Sequence, residues 1–79
     1  MRLSDLPRYT NAIVQGVDAA YANDTIAQRL EDLGFVPGES VRVTATGPVG
    51  SDPLLVQIGF TRFALRRSEA DRVRVEINA

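Results

Sequence analysis

Cysteine, histidine, lysine and tryptophan are all missing from this 79-residue chain. Without cysteine no disulfide can staple the fold, and there is no thiol nucleophile. Without histidine there is no imidazole base near neutral pH. The two commonest ligands of zinc and other borderline metals are lost together, which removes the usual transition-metal site. These absences argue against an enzyme. Long apolar runs are missing too: MRLSDLPRYTN lacks the apolar stretch of a secretory signal, and no segment approaches the ~20 apolar residues that span a bilayer. A cytosolic protein without direct membrane insertion is expected. Nor is there an excess of positive charge, since nine arginines face ten acids for a net charge of −1. Generic nucleic-acid binding needs such an excess to neutralise phosphates, so none is expected.

What is present is an ordinary globular composition, 44% apolar and 24% charged, enough for one small domain over residues 1–79. Charge is uneven along it. Residues 1–39 carry three arginines and six acids, and residues 40–79 carry six arginines and four acids. A polarised surface of this kind can steer a charged partner, although small proteins often divide this way by chance.

LSDLP reads as one tight turn, with Ser4 capping backbone N–H groups and Pro7 stopping continuation. Residues 10–17, TNAIVQGV, read as a strand, with Ala12 and Val14 on one face and Ile13 and Val17 on the other. Thr25 and Gln28 have capping-box spacing before Ile26, Leu30 and Leu33, which fall on one helical face. Gly34 ends that helix, and Pro37-Gly38 makes a turn. From Ser40 the period is two, with Val41, Val43 and Ala45 inward. GPVGSDP is expected as a loop, followed by a strand with Leu54, Val56 and Ile58 on one face. Thr61, Phe63 and Leu65 alternate with Arg62, Ala64 and Arg66 in a fourth strand. Ser68 caps a single helical turn, and Val73, Val75 and Ile77 point inward from a fifth strand. The expectation is a mainly β fold of α+β type, with one to two short helices and five antiparallel strands in a small, partly open barrel.

The segments LSDLP, RLEDLGFVPG, DPLLVQIGFTRFALRRSEA and VRVEI, in that order and over almost the whole chain, resemble the FeoA family. The resemblance implies an SH3-like five-stranded barrel. It also implies a small cytoplasmic accessory protein of bacterial ferrous iron transport, lying at the inner membrane through its partner. That partner is FeoB, the GTP-dependent transporter, whose assembly or activity it would modulate. A similar module is appended to iron- and manganese-responsive repressors, so a metal-responsive regulatory module is the alternative. The family brings no catalytic constellation to carry over, and GTP binding belongs to the partner: TGPVG matches neither a Walker loop nor a dinucleotide fingerprint.

Arg62, Arg66 and Arg67 form the densest basic cluster, suited to an acidic partner surface or a phosphate. The plainer reading pairs them with Glu69, Asp71 or other local acids. Arg29, at the helix, belongs to the same candidate docking set. Phe35 and Val36 are apolar residues in a loop and offer an interface anchor. Alternatively, Phe35 seals the helix end against the barrel. Glu31, Asp32 and Glu39 are the weak candidates for a divalent cation, because oxygen-only sites hold exposed transition metals loosely. A solvated helix end is the plainer reading. No cofactor is required, and a metal bridging two molecules through surface carboxylates is one route to a dimer.

Overall fold

The computed structural model describes residues 1–77. After a 3-10 turn at Leu3–Asp5 come β1 (Ala12–Val17), α1 (Thr25–Asp32), β2 (Ser40–Val49), β3 (Asp52–Ile58), β4 (Thr61–Leu65), α2 (Arg67–Ala70) and β5 (Val73–Ile77). The five strands form one antiparallel sheet in the order β4-β3-β2-β1-β5. The expected mainly β architecture with two short helices is what forms. Alternation places Val41, Val43, Leu54, Val56, Ile58, Leu65, Val73 and Val75 in one core. Leu3, Leu6, Val14, Leu30 and Phe35 close over them, each large side chain contributing about 1.5–3 kcal/mol of burial.

Several local expectations are corrected. GPVGSDP is mostly strand: β2 runs to Val49 and β3 resumes at Asp52. The turn takes only Gly50 and Ser51, at φ 61° and 58°, a two-residue reversal whose twist matches the flanking strands. Ile77 lies at an exposed strand end, not inward, with 42% of its surface accessible. Thr25 is the first residue of α1, whereas the cap is Asp24, whose carboxylate accepts from the Ile26 and Ala27 N–H groups at 3.1 and 3.3 Å. Ser68 lies within α2, where Glu69 closes the first turn by accepting from the Arg66 N–H at 2.7 Å. Ser4 caps nothing; its hydroxyl donates to the Asp71 carboxylate and ties the first turn to the end of α2. In each helix a carboxylate reaches bare N–H groups better than the hydroxyl that the spacing suggested.

Helix α1 ends as expected. Gly34 sits at φ 115°, its N–H donating to the Glu31 carbonyl at 3.0 Å and that of Phe35 to the Leu30 carbonyl at 3.1 Å. This paired C-terminal bond pattern turns the chain so that Phe35 points back into the core. Gly47 is fixed by space, because a methyl group there would overlap the Asp52 carbonyl across the hairpin. Gly47→Ala is expected to destabilise by about 1–3 kcal/mol, measurable as a lower denaturation midpoint with an unchanged slope.

Candidate functional site

The arginines divide into those held by the fold and those left open. Arg2 and Arg74 both donate to Asp18, at 2.6 and 2.9 Å. Arg72 donates to Asp24 at 2.6 Å. Arg67 is also taken up by the fold. Its guanidinium donates to the Ser4 carbonyl at 2.8 Å and reaches that of Ser51 at 3.5 Å, while its backbone N–H donates to Asp52 at 3.0 Å. It therefore joins the first turn, the β2–β3 hairpin and α2, and it pairs with carbonyl oxygens, not with the Glu69 or Asp71 side chains. Arg8, Arg29, Arg42, Arg62 and Arg66 donate no side-chain hydrogen bond and form no ion pair among the described residues.

Strand register assembles the open arginines around an apolar strip. Arg42, Gln57 and Arg62 face each other across β2, β3 and β4. The next outward row is Ala45, Leu55 and Ala64; Ala45 was expected inward, but the register shift in β2 between Val43 and Ala45 reverses its phase. Beyond it lies an open groove of about 770 Å³ between α1 and the sheet. Ile26 and Arg29 form its helical wall, Val49, Pro53 and Ala64 its apolar floor, and Arg66 its far rim beside Asp52 and Glu69. Both of those carboxylates already accept backbone N–H groups, from Arg67 and Arg66 respectively. The groove can thus seat an apolar side chain with an anionic group against Arg29 or Arg66.

Of the residues expected to dock a partner, Arg29 and Arg66 meet at this groove. Arg62 lies further along the outer face. Phe35 belongs to the core: it is 0% exposed and its ring stands 6.1 Å from that of Phe63. Sealing the helix end is its role, and Val36 alone of that pair reaches solvent. Glu31, Asp32 and Glu39 are exposed, and no three ligating side chains converge on a common point among the described residues. Groove residues that sequence reasoning overlooked are Ile26, Val49, Pro53 and Ala64. For Val49, Pro53 and Ala64 the signal is an apolar residue on the polar phase of a strand or beside a turn, whereas Ile26 lies on the apolar face of α1 and reads as a core residue, which it partly is.

The strongest electrostatic perturbation lies behind the site. Burial would raise the Asp24 carboxyl, but the Arg72 guanidinium and the Ala20 and Ala27 N–H groups outweigh it and bring it down to about 2. Tyr21 covers the pair, its ring centre 5.9 Å from the Arg72 guanidinium carbon. The loop between β1 and α1 is thereby clamped onto the turn between α2 and β5. The hydrogen bond from Arg2, with help from Arg74, also lowers Asp18 against its desolvation.

Comparison with known proteins agrees with this architecture. A family model described as FeoA domain matches residues 1–77. FeoA of Stenotrophomonas maltophilia, complexed with zinc and described as a procaryotic SH3 domain protein, is 63% identical with a TM-score of 0.90, over 96% of this chain and 89% of that one. FeoA of Chlorobium tepidum is 37% identical with a TM-score of 0.84, over 100% of this chain and 71% of that one. IdeR of T. acidophilum, at 19% identity and a TM-score of 0.76 over 99% of this chain and 34% of that one, shares the fold alone. No curated protein matches at a significant level.

Proposed function

The chain belongs to the FeoA family, and on that premise we propose that it is a non-enzymatic accessory protein of bacterial ferrous iron transport. It docks on the cytoplasmic part of the transporter FeoB and modulates the assembly or GTP cycle of that partner. The observation that carries this reading is the α1–sheet groove, where Arg29 and Arg66 stand without side-chain partners among the described residues over Ile26, Val49, Pro53 and Ala64. An apolar strip rimmed by open charges suits a modest, reversible interface, with arginine as its strongest anchor type. Iron enters as cargo of the partner. Zinc accompanies the Stenotrophomonas maltophilia protein, but three ligating residues do not converge among the described residues here.

Reversing both charges, Arg29→Glu with Arg66→Glu, is expected to weaken binding to the isolated cytoplasmic part of FeoB by about tenfold or more, mostly through faster dissociation. The melting temperature should stay within a few degrees of the parent, because neither guanidinium supports the fold. Biolayer interferometry with immobilised partner reads this out. Unchanged affinity in the folded double variant would remove the groove from the interface.

A further inference from the structure

We propose that the β3–β4 end of the sheet, led by Phe60, is a contact surface for an anionic lipid bilayer. This goes beyond the docking described above and uses the other end of the same strands. Gly59 and Phe60 form the whole connection between β3 and β4, and Phe60 is 105% exposed, more than any other large apolar side chain among the described residues. It projects from a convex tip. Behind it, Arg42 and Arg62 flank Gln57 in one outward row, and neither is ion-paired among the described residues. The Tyr9 N–H donates to the Val43 carbonyl at 2.8 Å, which sets Arg8 and the exposed Tyr9 at the flank of β2 beside Arg42.

Near the tip the basic side chains outnumber the acids. Glu39 is the exposed acid beside it, since the Gly59 N–H donates to the carbonyl of the next residue, Ser40, at 3.3 Å. Glu39 stands against Arg8, Arg42 and Arg62; between Ser40 and Ser68 the one acid is Asp52. Asp52 begins β3, and six residues of strand set it about 20 Å from the Phe60 tip, beyond a Debye length at physiological salt. The surface is thus locally cationic on a chain whose net charge is −1.

Shape decides between anionic partners. A protein partner would need a preformed pocket to receive a lone ring on a convex turn, with rim contacts to exclude water. Gly59 and Thr61, the neighbours of Phe60, supply little of such a rim. A bilayer interface accepts an aromatic ring without a pocket, while arginine stems lie along it and their heads meet lipid phosphates. One ring and a few arginines give weak, salt-sensitive attachment, which orients a protein already held near a membrane by its partner.

Flotation of the full chain with vesicles tests this. The vesicles are phosphatidylcholine alone, or phosphatidylcholine with about one-third phosphatidylglycerol, at low salt and at about 0.5 M NaCl, where the Debye length falls to about 4 Å. Binding is expected only to the anionic vesicles at low salt. Phe60→Ser, and separately Arg42→Ala with Arg62→Ala, should each cut the bound fraction about fivefold or more. The Phe60 variant is the firmer control, because an exposed ring leaves the melting temperature unchanged. No binding at low salt, equal binding to neutral vesicles, or binding indifferent to Phe60→Ser would overturn the proposal. So would a single-stranded oligonucleotide that displaces the chain from vesicles through the same residues, since that assigns the patch to nucleic acid. In lipid-free solution Phe60→Ser should still bind the FeoB cytoplasmic part, so failure of the lipid contact and failure of the docking groove are separately visible.

Discussion

Phe35→Ala is expected to lower the melting temperature by roughly 15–30 °C and to leave much of the protein unfolded under ordinary assay conditions. Truncating a buried phenylalanine costs about 3–5 kcal/mol, and a chain of this length has only about 4–12 kcal/mol of net stability. The ring is wholly buried against Phe63, Leu30 and the inward strand residues, so a cavity at the centre of a small core is the consequence. The backbone of Phe35 also completes the end of α1 through its bond to the Leu30 carbonyl, which alanine retains. The loss should therefore come from packing, and Phe35→Leu should recover a large part of it. Differential scanning calorimetry distinguishes the two variants. An alanine variant of undiminished stability that lost only partner binding would contradict this placement and restore Phe35 as an interface anchor.

Asp24→Ala should have the second large effect, a fall of roughly 15 °C or more. The Asp24 side chain is 0% exposed and Arg72 nearly as enclosed at 11%. The carboxylate accepts from Arg72 Nε at 2.6 Å, from the Ala20 N–H at 2.8 Å and from the first turn of α1. Removing it strips the helix cap, frees the β1–α1 loop and leaves an enclosed guanidinium without its counterion.

The same group sets the acid limb of stability. Its folded pKa, about 2, lies below the ordinary aspartate value near 3.9. The unfolded chain therefore takes up its proton first as the pH falls. The stabilisation is fully present above about pH 5 and is lost on descending through the folded pKa. Asp18 shifts in the same direction and adds to the slope. Asp24→Asn keeps a cap acceptor but cannot ionise. The gap in melting temperature between wild type and Asp24→Asn should narrow steadily from about pH 5 to pH 2. A gap constant over that window would show that the charge of Asp24 contributes nothing.

Much of the site can be traced in the sequence, with a clear boundary. The alternation of Thr61 to Arg66 puts Arg62 and Arg66 on one strand face; Arg62 lies in β4, and Arg66 follows one residue past its end as the extended residue that caps α2. The alternation does not reveal that Arg67, one residue on, turns inward onto the Ser4 carbonyl, because that partner lies 63 positions away. Thr25 with Gln28 signals the start of α1 within a residue. Asp24 takes the cap because a carboxylate there also meets Arg72 across 48 positions, a contact no local spacing contains. The run GPVGSDP looks like a loop by composition, yet a turn of Gly50 and Ser51 suffices once β2 and β3 pair. Phe60 illustrates the reverse case: an aromatic after a turn glycine is visible in the sequence, but its full exposure depends on the length of the flanking strands.

The sequence by itself determined the class of fold and its family. Period-two runs, one amphipathic helix and the glycine turns are short-range features whose preferences agree with one another. The absence of cysteine and histidine likewise bounds the chemistry without reference to shape. Tertiary structure alone decided which charges are available. Nine arginines are equivalent as letters; folding spends Arg2, Arg67, Arg72 and Arg74 on long-range contacts and leaves Arg29 and Arg66 at a groove and Arg42 and Arg62 behind an exposed ring. The physical reason is that pairing depends on distance in space, and strand register and helix docking set those distances among residues far apart in the chain.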